Sequence, residues 1–124
     1  MPTRKPVFHG KAVTIACTHQ KRSERFYEKV LGAKRLPGDG YGCSWFTLGA
    51  LTLTLMPNAT EPSPAEFPTN AMPMLWLEVE DLAAAHKHLV RNKVVVAEYH
   101  EGEFLQCADP DGLLIEVWQA GANE

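Results

Sequence analysis

The feature that most constrains this chain is that it repeats itself. An offset of 62 residues sets Val13, Ile15 and Cys17 on Leu75, Leu77 and Val79. The same offset sets Leu51, Leu53 and Leu55 on Leu113, Ile115 and Val117. Each trio alternates with unlike side chains at the period of a β-strand. Between the strands lie helical signals. Phe26, Tyr27, Val30 and Leu31 form one apolar stripe from about Lys21 to Leu31, with Gly32 as the stop. In the second half Asp81 is a good N-cap for a helix carrying Leu82, Ala85 and Leu89 on one face, and Asn92 ends it. The two stops are offset by 60, a slip that a loop absorbs.

The remaining segments complete two copies of one unit. The first half is expected to run strand Val13–Cys17, helix, then strands Ala33–Leu36, Tyr41–Leu48 and Leu51–Met56, with the turn-rich LPGDGYG before the third strand. The second runs strand Met74–Val79, helix, an extension at Val94–Val96, then strands Glu103–Ala108 and Leu113–Trp118. DPDG between the last two reads as a type I turn, with Pro110 second and Gly112 fourth. The stretch from Pro57 to Pro73 has no periodicity and holds Pro62, Pro64 and Pro68 as well, so a surface connection is expected, able to serve as a flap over a site. One domain is expected, with a module over about 8–57, a connection over about 58–73 and a second module over about 74–120.

Composition narrows the function classes. A formal charge of −3 is too balanced for a general nucleic-acid binder. No apolar run approaches the ~20 residues of a membrane span, and MPTRKPVFHGKAV has no continuous apolar core of a secretory signal, so no membrane partner and a cytoplasmic location are expected. Cys17, Cys43 and Cys107 are odd in number and contain no C-x-x-C pair, which suits free thiols in a reducing compartment.

Each repeated strand has one aliphatic face, expected to pack under the helices, and one mixed face. The mixed faces carry Ala12, Thr14 and Ala16; Thr52, Thr54 and Met56; Met74, Trp76 and Glu78; and Leu114, Glu116 and Trp118. Small, hydroxylated, aromatic and acidic side chains together suit a concave surface that meets a ligand or a partner subunit.

Two such units, with FYEKVLG closing the first helix and ADPDGLLIEVWQ at the end, resemble the vicinal oxygen chelate superfamily of glyoxalases, bleomycin-resistance-type binding proteins and ring-cleaving dioxygenases. The resemblance covers about Phe8 to Gln119, and the DPDG-x-x-IE ending is its most specific part. It implies an α+β fold in which two βαβββ modules form a curved, incompletely closed mixed β-sheet barrel with the helices outside. It also implies a homodimer whose clefts lie within one chain or across the interface.

The superfamily's metalloenzymes hold a divalent metal through His, Glu, His and Glu on the first and fourth strands of each module. The resemblance places those positions at Ala12, Thr54, Met74 and Glu116. Only Glu116 is a usual ligand, so no metal and no other cofactor are expected. Other histidines do not repair the set: His9 falls on the opposite strand face, His86 and His88 are two apart on a helix, His19 sits at a strand-to-helix turn and His100 in a loop.

The expected function is metal-independent binding of a small molecule by sequestration, closest to the bleomycin-resistance type and thus to antibiotic resistance. An aromatic or cationic ligand would stack on Trp76 and Trp118 and be anchored by Glu116, with Met74, Thr54, Met56 and Thr14 lining the site. Tyr41 and Trp45 are weaker candidates. Other readings stay open. Glu116 could pair with a basic neighbour or line a dimer interface, and the tryptophans could be core or interface aromatics. The chain could instead be a lyase, isomerase or dioxygenase with a degenerate or relocated metal site, or a dimeric interaction module without catalysis.

Overall fold

In the computed structural model the repeat becomes two four-stranded mixed sheets, described over residues 6–7, 9–57 and 74–122. The first sheet contains β1 (Val13–Ala16), β2 (Lys34–Leu36), β3 (Ser44–Leu48) and β4 (Leu51–Met56) in the order β1-β4-β3-β2. The second contains β5 (Met74–Val79), β6 (Val96–His100), β7 (Phe104–Ala108) and β8 (Leu114–Gln119) in the order β5-β8-β7-β6. The sheets do not close into a barrel, which agrees with the incomplete closure expected from the sequence. The proline-rich connection, read above as a surface segment and flap, lies outside the described residues beyond Pro57.

The registers obey the repeat. β1 pairs with β4 in parallel with Val13 against Leu53, and β5 pairs with β8 in parallel with Leu75 against Ile115, the same pair moved by the offset of 62. One strand departs from it. Trp45 sits against Thr54 in the first sheet, whereas Gln106 sits against Glu116 in the second, so β7 follows an offset of 61. The extra residue lies in the β7–β8 loop around DPDG, where the first module has only the tight Gly49–Ala50 turn.

The first helix begins as α1 (Gln20–Arg25) and widens into a π-helical turn over Phe26–Val30, in which the Leu31 N–H donates to the Phe26 carbonyl at 3.1 Å. Phe26 and Tyr27 are both buried. Gly32, at φ 77°, ends the helix, and the Ala33 N–H reaches back to the Tyr27 carbonyl at 2.8 Å. The second helix, α2 (Leu82–Arg91), opens as expected, with the Ala84 N–H donating to the Asp81 carboxylate at 3.0 Å. It buries Leu82 and Leu89, and Asn92 caps its end.

Several expected boundaries shift. The third strand starts at Ser44 rather than Tyr41, because Gly40 and Gly42 both take positive φ and keep the loop going to Cys43. The extension at Val94–Val96 becomes a full strand to His100, so His100 stands in β6 and not in a loop. Glu103 belongs to the Gly102 turn, and Leu113 precedes β8.

Ile15, Leu53, Leu55, Leu75, Ile115 and Val117 join Phe26, Tyr27, Leu82 and Leu89 in one core that spans both modules. Cys17 and Cys107 are buried in that core, and burial pushes the Cys107 thiol up to about 12. Cys43 is half-buried in the loop before β3. No described helix is long and apolar enough to cross a membrane.

Candidate functional site: the mixed face of the second sheet

Cross-strand neighbours share a face, so the pairings place the candidate residues directly. In the second sheet Trp76, Glu116, Gln106 and Glu98 form one row, and Glu78, Trp118, Phe104 and His100 form the next. The corresponding row of the first sheet is Thr14, Thr54, Trp45 and Leu36. Trp45 is therefore on the mixed face. Tyr41 is not on a strand, and it stands 88% exposed in the loop before β3.

In the second sheet the aromatics touch. The Trp76 and Trp118 rings lie 5.5 Å apart, Trp118 stacks on Phe104 at 4.7 Å, and Phe104 stacks on His100 at 4.9 Å. Trp76 is 56% exposed, so the end of this ladder is open to an incoming ring. Glu116 is half-buried beside it and engages neutral donors instead of a base. The Trp118 indole N–H donates to one of its carboxylate oxygens at 3.1 Å and the Gln106 amide to the other at 2.9 Å. Trp76, Trp118 and Glu116 are thus neighbours on one face. Phe104, Gln106 and His100 were missed. The alternation of Phe104, Gln106 and Ala108 along β7 was the available signal.

The charge of this face has one sign. Glu78, Glu98 and Glu116 fall on it, and no strand position facing the same way carries Lys or Arg. His100 is 3.1 Å from Glu98. In the first sheet the matching surface has Lys34 at its outer edge and the Lys11 ammonium 6.0 Å from the centroid of the Trp45 ring. Thr14 and Met56 are exposed there, whereas Thr54 is buried. Met74 is half-buried at the start of β5.

Among the described residues two side-chain atoms are buried with no hydrogen-bond partner, Thr54 Oγ1 and Gln106 Oε1. They occupy equivalent rows of the two sheets. A buried polar atom left unpaired costs about 1–3 kcal/mol, so this row is where water or a ligand atom belongs.

The four positions that family resemblance assigns to metal do not make a metal site. They offer a methyl group, a hydroxyl, a thioether and the Glu116 carboxylate, which is already engaged by Gln106 and Trp118. One carboxylate and one hydroxyl do not fit the donor set that a divalent ion requires. Among the described residues no three His, Cys, Asp or Glu side chains cluster elsewhere.

An open cleft of about 1030 Å³ lies on the far side of β5, between α2, the end of the first helix and the Gly49–Ala50 turn. Trp76 reaches its wall, but Glu116 and Trp118 do not. Most of the lining is aliphatic, including Leu48, Leu51, Leu77 and Leu89. At the repeat-related place on the other side of the molecule the space is filled by a polar clasp. The DPDG turn carries Asp109 and Asp111, both buried. Asp111 accepts from the Thr18 N–H and hydroxyl and from Arg22, at 3.1, 2.6 and 3.1 Å, and Asp109 accepts from the Tyr27 hydroxyl at 2.8 Å. Burial pushes the Asp109 carboxyl above its ordinary range, against the bonds it accepts from Leu113, Tyr27 and Asp111.

Comparison with known proteins agrees with this architecture. Residues 11–117 match the model of the Glyoxalase/Bleomycin resistance protein/Dioxygenase superfamily. No curated protein sequence matches. Among solved structures, an integron cassette protein from the mobile metagenome of V. cholerae superposes with a TM-score of 0.70 at 23% identity, covering 96% of this chain and 100% of that one. The fosfomycin resistance protein FosX of Listeria monocytogenes superposes with a TM-score of 0.74 at 11% identity, covering 91% and 92%. A mutant of that protein has been crystallised with Mn(II) and 1S,2S-dihydroxypropylphosphonic acid. Lactoylglutathione lyase of Agrobacterium tumefaciens superposes with a TM-score of 0.64 at 16% identity, covering 94% and 96%. The chain belongs to the Glyoxalase/Bleomycin resistance protein/Dioxygenase superfamily.

Proposed function

We propose that this member of the superfamily is a metal-independent binding protein that sequesters a planar aromatic cation on the mixed face of its second sheet. The observation that carries the reading is the Trp76–Trp118–Phe104 ladder beside Glu116 on a face whose strand positions carry carboxylates and, among the described residues, no Lys or Arg. Indole faces attract cations, by roughly 0.5–2 kcal/mol per contact, and the nearby carboxylates add to that attraction. The same charges disfavour a phosphonate. The absence of usual ligands at Ala12, Thr54 and Met74 supports binding without metal. Met74 lies two residues before Trp76 on the same face, and Thr14, Met56 and Thr54 line the opposing part of the site when two copies pair.

Pairing is part of the proposal. Among the described residues β1 and β5 are edge strands, and a second copy would cover them and bring the two mixed faces together. The dimer acts in the cytoplasm, where it lowers the free concentration of a toxic ligand and so confers resistance. Titration of chelator-treated protein with N-methylacridinium, followed by tryptophan fluorescence, tests the binding claim. Saturable quenching that weakens about tenfold in Glu116→Gln is expected, with no response to a phosphonate. Binding that requires added divalent metal, or a preference for the phosphonate, overturns it. Light scattering that shows a monomer across micromolar concentrations removes the paired site.

A further inference from the structure

We infer that the ligand carries N–H donors, as an amidinium, a guanidinium or a protonated aminoheterocycle does, and that the Gln106 side-chain carbonyl is the acceptor that selects them. This rests on the aromatic-cation reading above and narrows it. Gln106 is only 5% exposed, yet its Oε1 has no partner among the described residues. Its orientation is fixed from the other end. Nε2 donates to Glu116 at 2.9 Å, and the flipped amide would set two acceptors against each other. The atom left over is therefore an acceptor, which a quaternary ammonium group cannot satisfy.

The neighbours in the row have the same character. Glu98 and Glu116 flank Gln106 on the adjacent strands, so three acceptor-bearing side chains lie side by side, on strands roughly 4.8 Å apart. Glu116 takes one donor on each carboxylate oxygen and keeps lone pairs free on both. An amidinium bears N–H groups on both of its nitrogens, so one planar head can serve two acceptors while its ring continues the stack from Trp118 to Trp76. A ligand bound by stacking and charge alone would leave Gln106 Oε1 as it is.

The test compares 2-naphthamidine with its N,N,N′,N′-tetramethyl counterpart, which keeps the ring and the charge but has no N–H. Tryptophan fluorescence titration of the full chain should show the first binding about tenfold more tightly. Gln106→Met removes the acceptor at similar volume. It also removes the Nε2 donor to Glu116, so the readout is the ratio of the two affinities, which should fall to about one. Equal affinity of the two probes for the unaltered protein overturns the inference while leaving the aromatic-cation reading standing, and this comparison needs no variant. A preference that survives in Gln106→Met also overturns it. If neither probe binds, the inference and the reading beneath it both fall.

Discussion

The two modules share a fold, a register and a strand order, and they differ where the molecule meets other things. The β7–β8 loop of the second module is one residue longer than the repeat requires and carries Asp109 and Asp111. Those carboxylates clasp α1 and the start of the first helix through Thr18, Arg22 and Tyr27. The first module answers with Gly49–Ala50, which has no side chain to reach α2, and an open cleft results. The mixed faces diverge in the same way. One is rich in threonine and meets lysines at Lys11 and Lys34, and the other is acidic and aromatic. A duplicated fold keeps its core positions alike because burial demands it, while loop ends and sheet faces are free to part.

The largest expected effect breaks the comparison at the clasp. Asp111→Ala removes a buried acceptor from several donors at once and should destabilise the protein by ~2–4 kcal/mol in urea unfolding. His88→Ala deletes the exposed contact to the Val30 carbonyl on the cleft side and should cost less than about 1 kcal/mol. Equal losses would mean that the two sides are held alike.

Next in size is the asymmetry of the faces. Trp118→Ala should weaken binding of a planar aromatic cation by ~10–100-fold, since it removes the centre of the ladder. Met56→Ala, at the repeat-equivalent position, should change it by no more than about threefold. A comparable loss in both variants would assign the ligand to a cleft shared evenly by the two faces.

A smaller effect concerns the unpartnered hydroxyl. Thr54→Val keeps the shape and removes Oγ1, so it should be neutral or stabilising by up to ~1 kcal/mol. A clear destabilisation would show that this hydroxyl has a bound partner.

The smallest effects have opposite signs in pH. Burial opposes ionisation of Glu24, but hydrogen bonds from Arg35 and Ser44 outweigh it and hold the carboxyl below its ordinary value. Its contribution is present above the ordinary carboxylate pKa and fades as pH falls through the lowered one. Asp109 is raised, so its contribution is present below the ordinary value and fades as pH rises through the raised one. Glu24→Gln should flatten the acid limb of stability against pH by about 0.5 kcal/mol or less, because Arg35 is substantially exposed. Asp109→Asn should steepen the net rise of stability with pH by removing the opposing slope.

Much of this was readable in the sequence because strand alternation reports burial directly. The offset of 62 read from the sequence relates the β1–β4 pairing to the β5–β8 pairing, and Asp81 and Gly32 act as the cap and stop their types suggest. What stayed hidden depends on neighbours distant in sequence. DPDG was legible as a turn, but nothing local says that its carboxylates grip Thr18 and Arg22. Tyr27 reads as one more apolar stripe residue until its hydroxyl meets Asp109. Gln106 and Phe104 joined the candidate face only once β7 could be set in register, one residue away from the offset that served every other repeated strand.

The claim that the second module's mixed face carries the stacking and anchoring of the ligand is tested most directly by the indole N–H resonances of the three tryptophans. Trp76 and Trp118 lie on that face, and Trp45 marks the equivalent row of the first module. Titrating chelator-treated, 15N-labelled protein with 2-naphthamidine should shift the Trp76 and Trp118 signals saturably and by clearly more than the Trp45 signal. Equal movement of Trp45, or shifts that appear only after a divalent metal is added, would contradict the account.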